Sequence, residues 1–462
     1  MKQHRIYLTV AIGTVLFSLF FFSSCKVGKE YKRIETNLPE RFDEPFQDTL
    51  TIADLQWWQI YEDTTLQNLI RQTLEYNKDL KIAAARVKEL AHAKRIDFSK
   101  MWPQIGADMY AKKSAEDYGG DNFKNKPEFA LRGLVTWEFD LWGNLRWGWT
   151  EGVAEYMSSI ESHRALKMSI VAQVAESYFE LVALDHELAI VRQTLKAREE
   201  GVRLARIRYE GGLTSETSYL QAKLEYARTA TLVPDLERKI TIKENDILFL
   251  AGEYPREIER VVMPEDVKLP ESLPIGLPST LLERRPDVRS AEQQLIAANA
   301  AVGIAYTNMF PKLSLTAKFG FENSSLVDFF RSPMHELAAS LLAPLFNFNK
   351  NRAAWRAKEA AYEAECYRYE KTVMGAFYDA RNAIVNFNKI KEIYESRSEL
   401  ERSSKATMEL AQLQYLNGVI GYLDVLDAQR SYFDAQISLS NALRDKQITM
   451  VRLYKALGGG WQ

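Results

Sequence analysis

The sequence predicts a mostly α-helical chain that carries a membrane β-barrel portion, organised as a tandem structural repeat with four strands and several long helices. Three observations carry that expectation. First, the chain is duplicated. Tyr209 to Lys223 falls on Tyr415 to Gln429 at an offset of 206, which also sets Gly212 on Gly418, Leu220 on Leu426, Ala222 on Ala428 and Gly252 on Gly458. Second, segments that follow Pro103 and Pro311 alternate apolar and polar residues with the period of two that belongs to strands. Third, a helical period persists from Asn144 to about Arg208 without a proline, enough for a rod of roughly 100 Å at about 1.5 Å per residue.

The N-terminus stands apart. Lys2, His4 and Arg5 precede a nearly continuous apolar run, Ile6 to Phe22, which Ser23-Ser24-Cys25 closes. This is the pattern of a secretory signal peptide over residues 1–24. A transmembrane helix is the alternative, but small residues directly before a cysteine sit where a cleavage site belongs. They resemble the lipobox of bacterial lipoproteins, with Phe22 where Leu is usual, and imply a covalent lipid (palmitate among its chains) on Cys25. Only Cys366 then remains, so no disulfide forms within the chain. In its Ala-rich helical stretch Cys366 reads as a small buried hydrophobe. A net charge of −2 with 26% charged residues gives no basic excess for nucleic acid. The 5 histidines never cluster at metal-ligand spacing, so neither a metal nor another cofactor is expected.

Residues 25–62 read as an irregular strap that crosses a Pro-containing polar stretch to Trp57-Trp58. The first repeat covers 63–252. Leu66, Leu69, Ile70 and Leu74 give a first helix, and a second follows Asn77. A strand hairpin is expected over about 103–141: Phe129, Leu131, Gly133, Val135, Trp137 and Phe139 face one way, with Arg132, Thr136, Glu138 and Asp140 opposite. An aromatic apolar face backed by a charged one suits a membrane barrel strand. A long helix leads to a turn at about 209–220, and a return helix runs to Gly252. Pro255, Pro264, Pro270 and Pro274 mark a linker over 253–277. The second repeat, 278–458, restates the plan: Leu282 falls on Leu74 and Pro311 on Pro103 at an offset of 208. Its hairpin is expected over about 311–346, with a weaker fourth strand near His335 to Leu345. Its turn lies at about 415–424, its return helix ends near Leu457, 459–462 form a tail, and Gly458-Gly459-Gly460 reads as a flexible terminal stretch.

Four strands cannot close a barrel, and an open edge in lipid leaves backbone groups unpaired at several kcal/mol each. The chain must therefore oligomerise; a dimer gives about 8 strands and a trimer about 12. Helices of this length likewise need lateral packing against neighbouring copies. A long coiled-coil protein with a small sheet domain, an envelope structural lipoprotein without channel activity, fits the periodicity too. The aromatic alternating hairpins argue against it. No Ser/His/Asp set, phosphate loop or metal cluster points to an enzyme.

Several stretches, in order, resemble one family: the TolC-type outer-membrane efflux proteins, in the lipoprotein branch that serves resistance-nodulation-division pumps. They are Cys25-Lys-Val-Gly-Lys-Glu-Tyr-Lys, with Lys29 where Pro is usual; Trp57-Trp58 with Leu66 to Val87; Arg284-Arg-Pro-Asp-Val-Arg-Ser-Ala-Glu; and Ala297-Ala-Asn-Ala-Ala-Val-Gly before Phe310-Pro311. The resemblance implies a homotrimeric α/β-barrel in the outer membrane of a Gram-negative bacterium, lipid-anchored and extending into the periplasm. It would conduct small molecules handed over by an inner-membrane pump and a periplasmic adaptor. It places Gly211, Gly212, Leu213, Ser215, Gly418, Val419 and Gly421 in the tip turns where the adaptor docks, and Asp424, Asp427 and Tyr415 in the periplasmic gate. On the residues alone, two acids three apart near a helix start also suit the helix dipole. Ser218 and Ile420 stand where the family has an acidic and an arginine gate partner. The gate is therefore expected to rest on weaker contacts from Glu216 and on packing by Ile420 and Tyr422.

Overall fold

The computed structural model describes residues 26–34, 63–117, 123–260 and 281–459. The expected signal peptide, Cys25, strap residues 35–62, linker residues 261–277 and residues 460–462 lie outside the described residues. Two compact units form, and neither is a sequence half. One takes Met1–Thr36, Ala85–Ile160 and Ser290–Lys371; the other takes Asn37–Ala84, Glu161–Arg289 and Thr372–Gln462. Each unit draws on both repeats, because equivalent pieces of the halves pack with one another.

Helix α1 (Thr64–Tyr76) starts where the Asp63 carboxylate accepts from the N–H groups of Thr65 and Leu66, two of the donors a helix start leaves open. Helix α2 (Lys78–Ser99) leads to β1 (Gln104–Asp117) and β2 (Phe123–Phe139), the first hairpin. Next come α3 (Asn144–Glu210), α4 (Glu216–Ala230) and α5 (Leu232–Ala251). The second half supplies α6 (Leu281–Arg284), α7 (Pro286–Thr307), β3 (Lys312–Asn323), β4 (Pro333–Leu342), α8 (Lys350–Leu416) and α9 (Tyr422–Ala456). Helices α3 and α8 are both 67 residues long.

In the first unit the two hairpins join through β2 and β3 into one antiparallel sheet of order β1-β2-β3-β4. The register sorts side chains by face. Ile105, Val135, Ala317 and Leu337 stand in one row, and at its ends Ile105 and Leu337 are 80% and 75% exposed. The other face is charged. Arg132 there bonds Asp108 at 2.9 Å, pairs with Glu322 at 3.6 Å and lies over the Tyr110 ring, and Lys318 bonds Glu336 at 3.2 Å. β4 ends at Leu342, three residues short of the expected Leu345. Where the sheet hands over to α3, the Asp140 carboxylate accepts from the N–H groups of Leu145 and Arg146. The chain after Cys25 is pinned at that junction: the Val27 N–H bonds Trp142 O, Trp147 Nε1 donates to Val27 O at 2.8 Å, and Lys26 Nζ sits over the Trp147 ring. Farther on, Tyr31 and Arg33 both engage Glu292 of α7.

The core of the second unit gathers Leu66 and Ile70 of α1, Val174 and Leu181 of α3, Ile247 and Leu248 of α5, Phe387 of α8 and Leu453 of α9. The duplication is visible there bond by bond. Asn77 Nδ2 donates to Leu250 O at 2.8 Å, and its counterpart Arg285 reaches Ala456 O, the counterpart of Leu250. Arg285 also binds Asp287 and Asp379, so the Arg-Pro-Asp motif stitches α7, α8 and α9 together.

Three expectations need correction. The first return helix is not continuous: it breaks at Thr231, because Pro234 has no N–H to donate to the Ala230 carbonyl. Ser440 stands at that place in the second half, and α9 runs through. Cys366 is half-buried rather than core, with its thiol toward Tyr362. Gly458 and Gly459 are not flexible. They are buried and hydrogen-bonded to Lys455 O and Tyr454 O, and a Cβ on Gly459 would meet the Tyr454 ring at 2.2 Å.

Candidate functional site

The expected tip residues lie in two equivalent turns of the second unit. Helix α3 ends as Leu213 N–H donates to Arg208 O and Gly212 N–H to Tyr209 O; α8 ends as Val419 N–H donates to Gln414 O and Gly418 N–H to Tyr415 O. Both are Schellman closures, which need a left-handed residue, and Gly212 and Gly418 supply it at φ +71° and +74°. Such closures usually bury the apolar residue after the glycine. Here Leu213 and Val419 remain 73% and 69% exposed. Gly211, Ser215 and Gly421 are exposed beside them.

The expected gate residues are not equivalent to one another. Asp424 accepts from the Gly421 N–H at 3.0 Å, half of a capping box, so the start of α9 claims this carboxylate. Asp427, 74% exposed, pairs with Arg430 at 3.2 Å. Tyr415 lies between Tyr422, ring centroids 5.4 Å apart, and the Arg208 guanidinium 4.8 Å above its ring. Its hydroxyl is buried without a hydrogen-bond partner among the described residues. Burial first, and the neighbouring Tyr415 second, push the Tyr422 phenol up to about 12. Glu216 is exposed and Ile420 half-buried; the Ser218 N–H turns back to Ser215 O.

Below this lies an ion cluster that the sequence reading missed. Glu225 of α4 has only 3% of its side chain exposed. Arg198 of α3 donates to its Oε2 at 3.0 Å and its carbonyl at 2.9 Å and also reaches the Thr229 hydroxyl. From α9, Arg430 donates to Glu225 Oε1 at 2.6 Å. Burial alone would push the Glu225 carboxyl up, but the Arg430 hydrogen bond and the Arg198 charge together hold it below its ordinary value, so it is ionised. The only hint in the sequence was Arg430 three residues after Asp427; Glu225 in a polar helix reads as a solvated acid. Among the described residues no His, Cys, Asp or Glu group could hold a metal, and no helix is long and apolar enough to cross a membrane.

The family model described as "Outer membrane efflux protein" matches residues 69–253 and 277–459. The solvent efflux pump outer membrane protein SrpC of Pseudomonas putida is 31% identical over 409 residues, 87% of each chain. The probable outer membrane lipoprotein SilC of Salmonella typhimurium is 27% identical over 455 residues, 96% of this chain and 97% of that one. A solved structure of the outer-membrane channel OprN has a TM-score of 0.88 at 27% identity, covering 95% of this chain and 100% of the other.

Proposed function

The chain belongs to the outer membrane efflux protein family and is an outer membrane channel of an efflux system; from that premise we propose how it is assembled and closed. Three copies join their four-stranded sheets edge to edge into one 12-stranded barrel. The observation that carries this is the sheet itself. Its outer strands β1 and β4 each have one open edge, one face is apolar and exposed, and the other is laced with ion pairs. Lipid accepts an apolar face but not an unpaired edge. About 12 strands leave a water-filled bore, which the charged face lines; about 8 would be filled by side chains.

Cys25 carries the covalent lipid. The pinning of Lys26 and Val27 at the start of α3 supports this, since it holds the residues directly after the lipid site beside the end of β2. A relative named as a lipoprotein points the same way. The turns around Gly212 and Gly418 form the periplasmic tip, where the uncovered Leu213 and Val419 offer an apolar footing to an adaptor. A resistance-nodulation-division pump supplies small-molecule cargo through that adaptor. Asp424, Asp427 and Tyr415 surround the closed duct.

Purified, lipid-bearing protein tests the assembly. Unheated samples should migrate as trimers in detergent and collapse to monomers on heating, and the trimer should pass ions through a planar bilayer. A monomer that conducts nothing would sink the proposal.

A further inference from the structure

The strongest unexplained feature is the Arg198–Glu225–Arg430 cluster, because one carboxylate serves two arginines from different helices close to the tip. Its two arms differ. Arg198 is 9% exposed, against 3% for its partner, and holds Glu225 through side chain and backbone together with Thr229. Arg430 is 41% exposed and gives Glu225 a single bond. Breaking the Arg198 arm would strand a charge in a dry environment, which is strongly unfavourable. Breaking the Arg430 arm lets water take over the guanidinium and leaves Glu225 neutralised by Arg198.

The cluster is also absent from the duplicated plan. At the offset of 206, Arg198, Glu225 and Thr229 fall on Ser404, Ser431 and Ala435, and Arg430 falls on Leu224. A bond needed only to pack two long helices would be expected in both halves. This one occurs once, next to Asp427, which the same Arg430 holds at 3.2 Å.

We infer that Glu225 is a positioning residue for the gate: with Arg198 as its permanent counter-charge, it holds Arg430 and hence α9 in the closed arrangement, and opening begins with release of Arg430. The inference rests on the tip being the periplasmic gate. Closed, Arg430 ties α9 to the α3–α4 pair and keeps the Asp427 carboxylate paired. Released, it leaves α9 free to move and Asp427 bare toward the duct. Ser218 and Ile420, which replace charged partners in the family the chain resembles, are then no loss, because the tie lies deeper.

The test is single-channel recording of the full-length, lipid-bearing trimer. Arg430→Gln keeps Glu225 paired with Arg198 and should fold. Spontaneous openings should rise about tenfold, which corresponds to about 1.4 kcal/mol, with unheated trimer yield unchanged. Arg430→Lys, which keeps the charge and one donor, should bring openings back near the parent level. Arg198→Gln with Glu225→Gln removes both buried charges together. It should leak like Arg430→Gln, and adding Arg430→Gln to it should add nothing further. Unchanged openings in Arg430→Gln, equal leak in Arg430→Lys, or fully additive leak in the triple variant would each overturn the latch. A parent protein that conducts nothing would instead overturn the channel reading on which it rests.

Discussion

At the scale of single residues, the tip separates aromatic packing from hydrogen bonding. The Tyr415 hydroxyl is buried with no partner among the described residues, while its ring is held by Tyr422 and Arg208. A buried hydroxyl that bonds nothing contributes no stability. Tyr415→Phe should therefore leave closed-state leak and thermal unfolding unchanged or slightly improved. Tyr415→Ala should leak, because it removes the ring. A leaky Phe variant would mean that the hydroxyl finds a partner in a neighbouring copy. Tyr422 adds a pH dependence. Its phenol is raised from 10.0 to about 12, so the folded chain keeps a proton that the unfolded chain sheds first. That contribution is complete below about 10 and is lost as pH climbs toward 12. Unfolding midpoints of the parent should fall more steeply across that window than those of Tyr422→Phe; parallel curves would contradict it. Sequence reasoning singles out Tyr415, Asp424 and Asp427 as gate candidates through a family motif, which names positions but not partners. The Glu225 cluster was beyond it, because its members lie 27 and 205 residues apart. A charged residue inside a polar helix shows no sign of burial until the neighbouring helices are placed.

At the scale of elements, the repeat made most of the architecture legible. Glycines that recur at one offset turn out to be the same structural device. Gly212 and Gly418 close α3 and α8, while Gly252 and Gly458 close α5 and α9, all with positive φ. The break at Thr231 is written in Pro234, which the repeat hides because the second half has Ser440 at that place. The four caps also make a graded prediction. A Cβ at Gly212 or Gly418 meets nothing within 4 Å, so alanine there should cost only the left-handed backbone term of about 1–2 kcal/mol. At Gly252 the same Cβ would lie 2.6 Å from the Tyr76 carbonyl oxygen, where α1 hands over to α2. Gly252→Ala should therefore destabilise clearly more than Gly212→Ala in thermal unfolding followed by circular dichroism. Equal losses would show that the close approach relaxes freely. Asn at Gly212 or Gly418 should recover part of the loss, because Asn tolerates this conformation.

At the scale of the whole molecule, a membrane placement requires that one particular face of the sheet meets lipid. The strand period was plain in the sequence; the joining of the two hairpins through β2 and β3 was not, because that pairing spans the repeats. The register now assigns the described side chains of the strands to faces. Leu337 shares its row with Ile105, Val135 and Ala317, whereas Ser340 lies opposite Ser314 on the face that carries Lys318 and Glu336. An arginine on the lipid side of a barrel strand costs about 2–4 kcal/mol near the bilayer midplane, while a lumen-facing position solvates it. Leu337→Arg should therefore lower the yield of heat-modifiable trimer in the outer membrane, and Ser340→Arg should leave yield intact while shifting the ion preference of the open channel toward anions. Both positions are on β4, three residues apart, so local strand propensity and edge position are nearly matched between them. Only the face differs. If the two variants assembled equally well, neither face of this sheet could be buried in lipid, and the membrane placement of the strands would have to be abandoned.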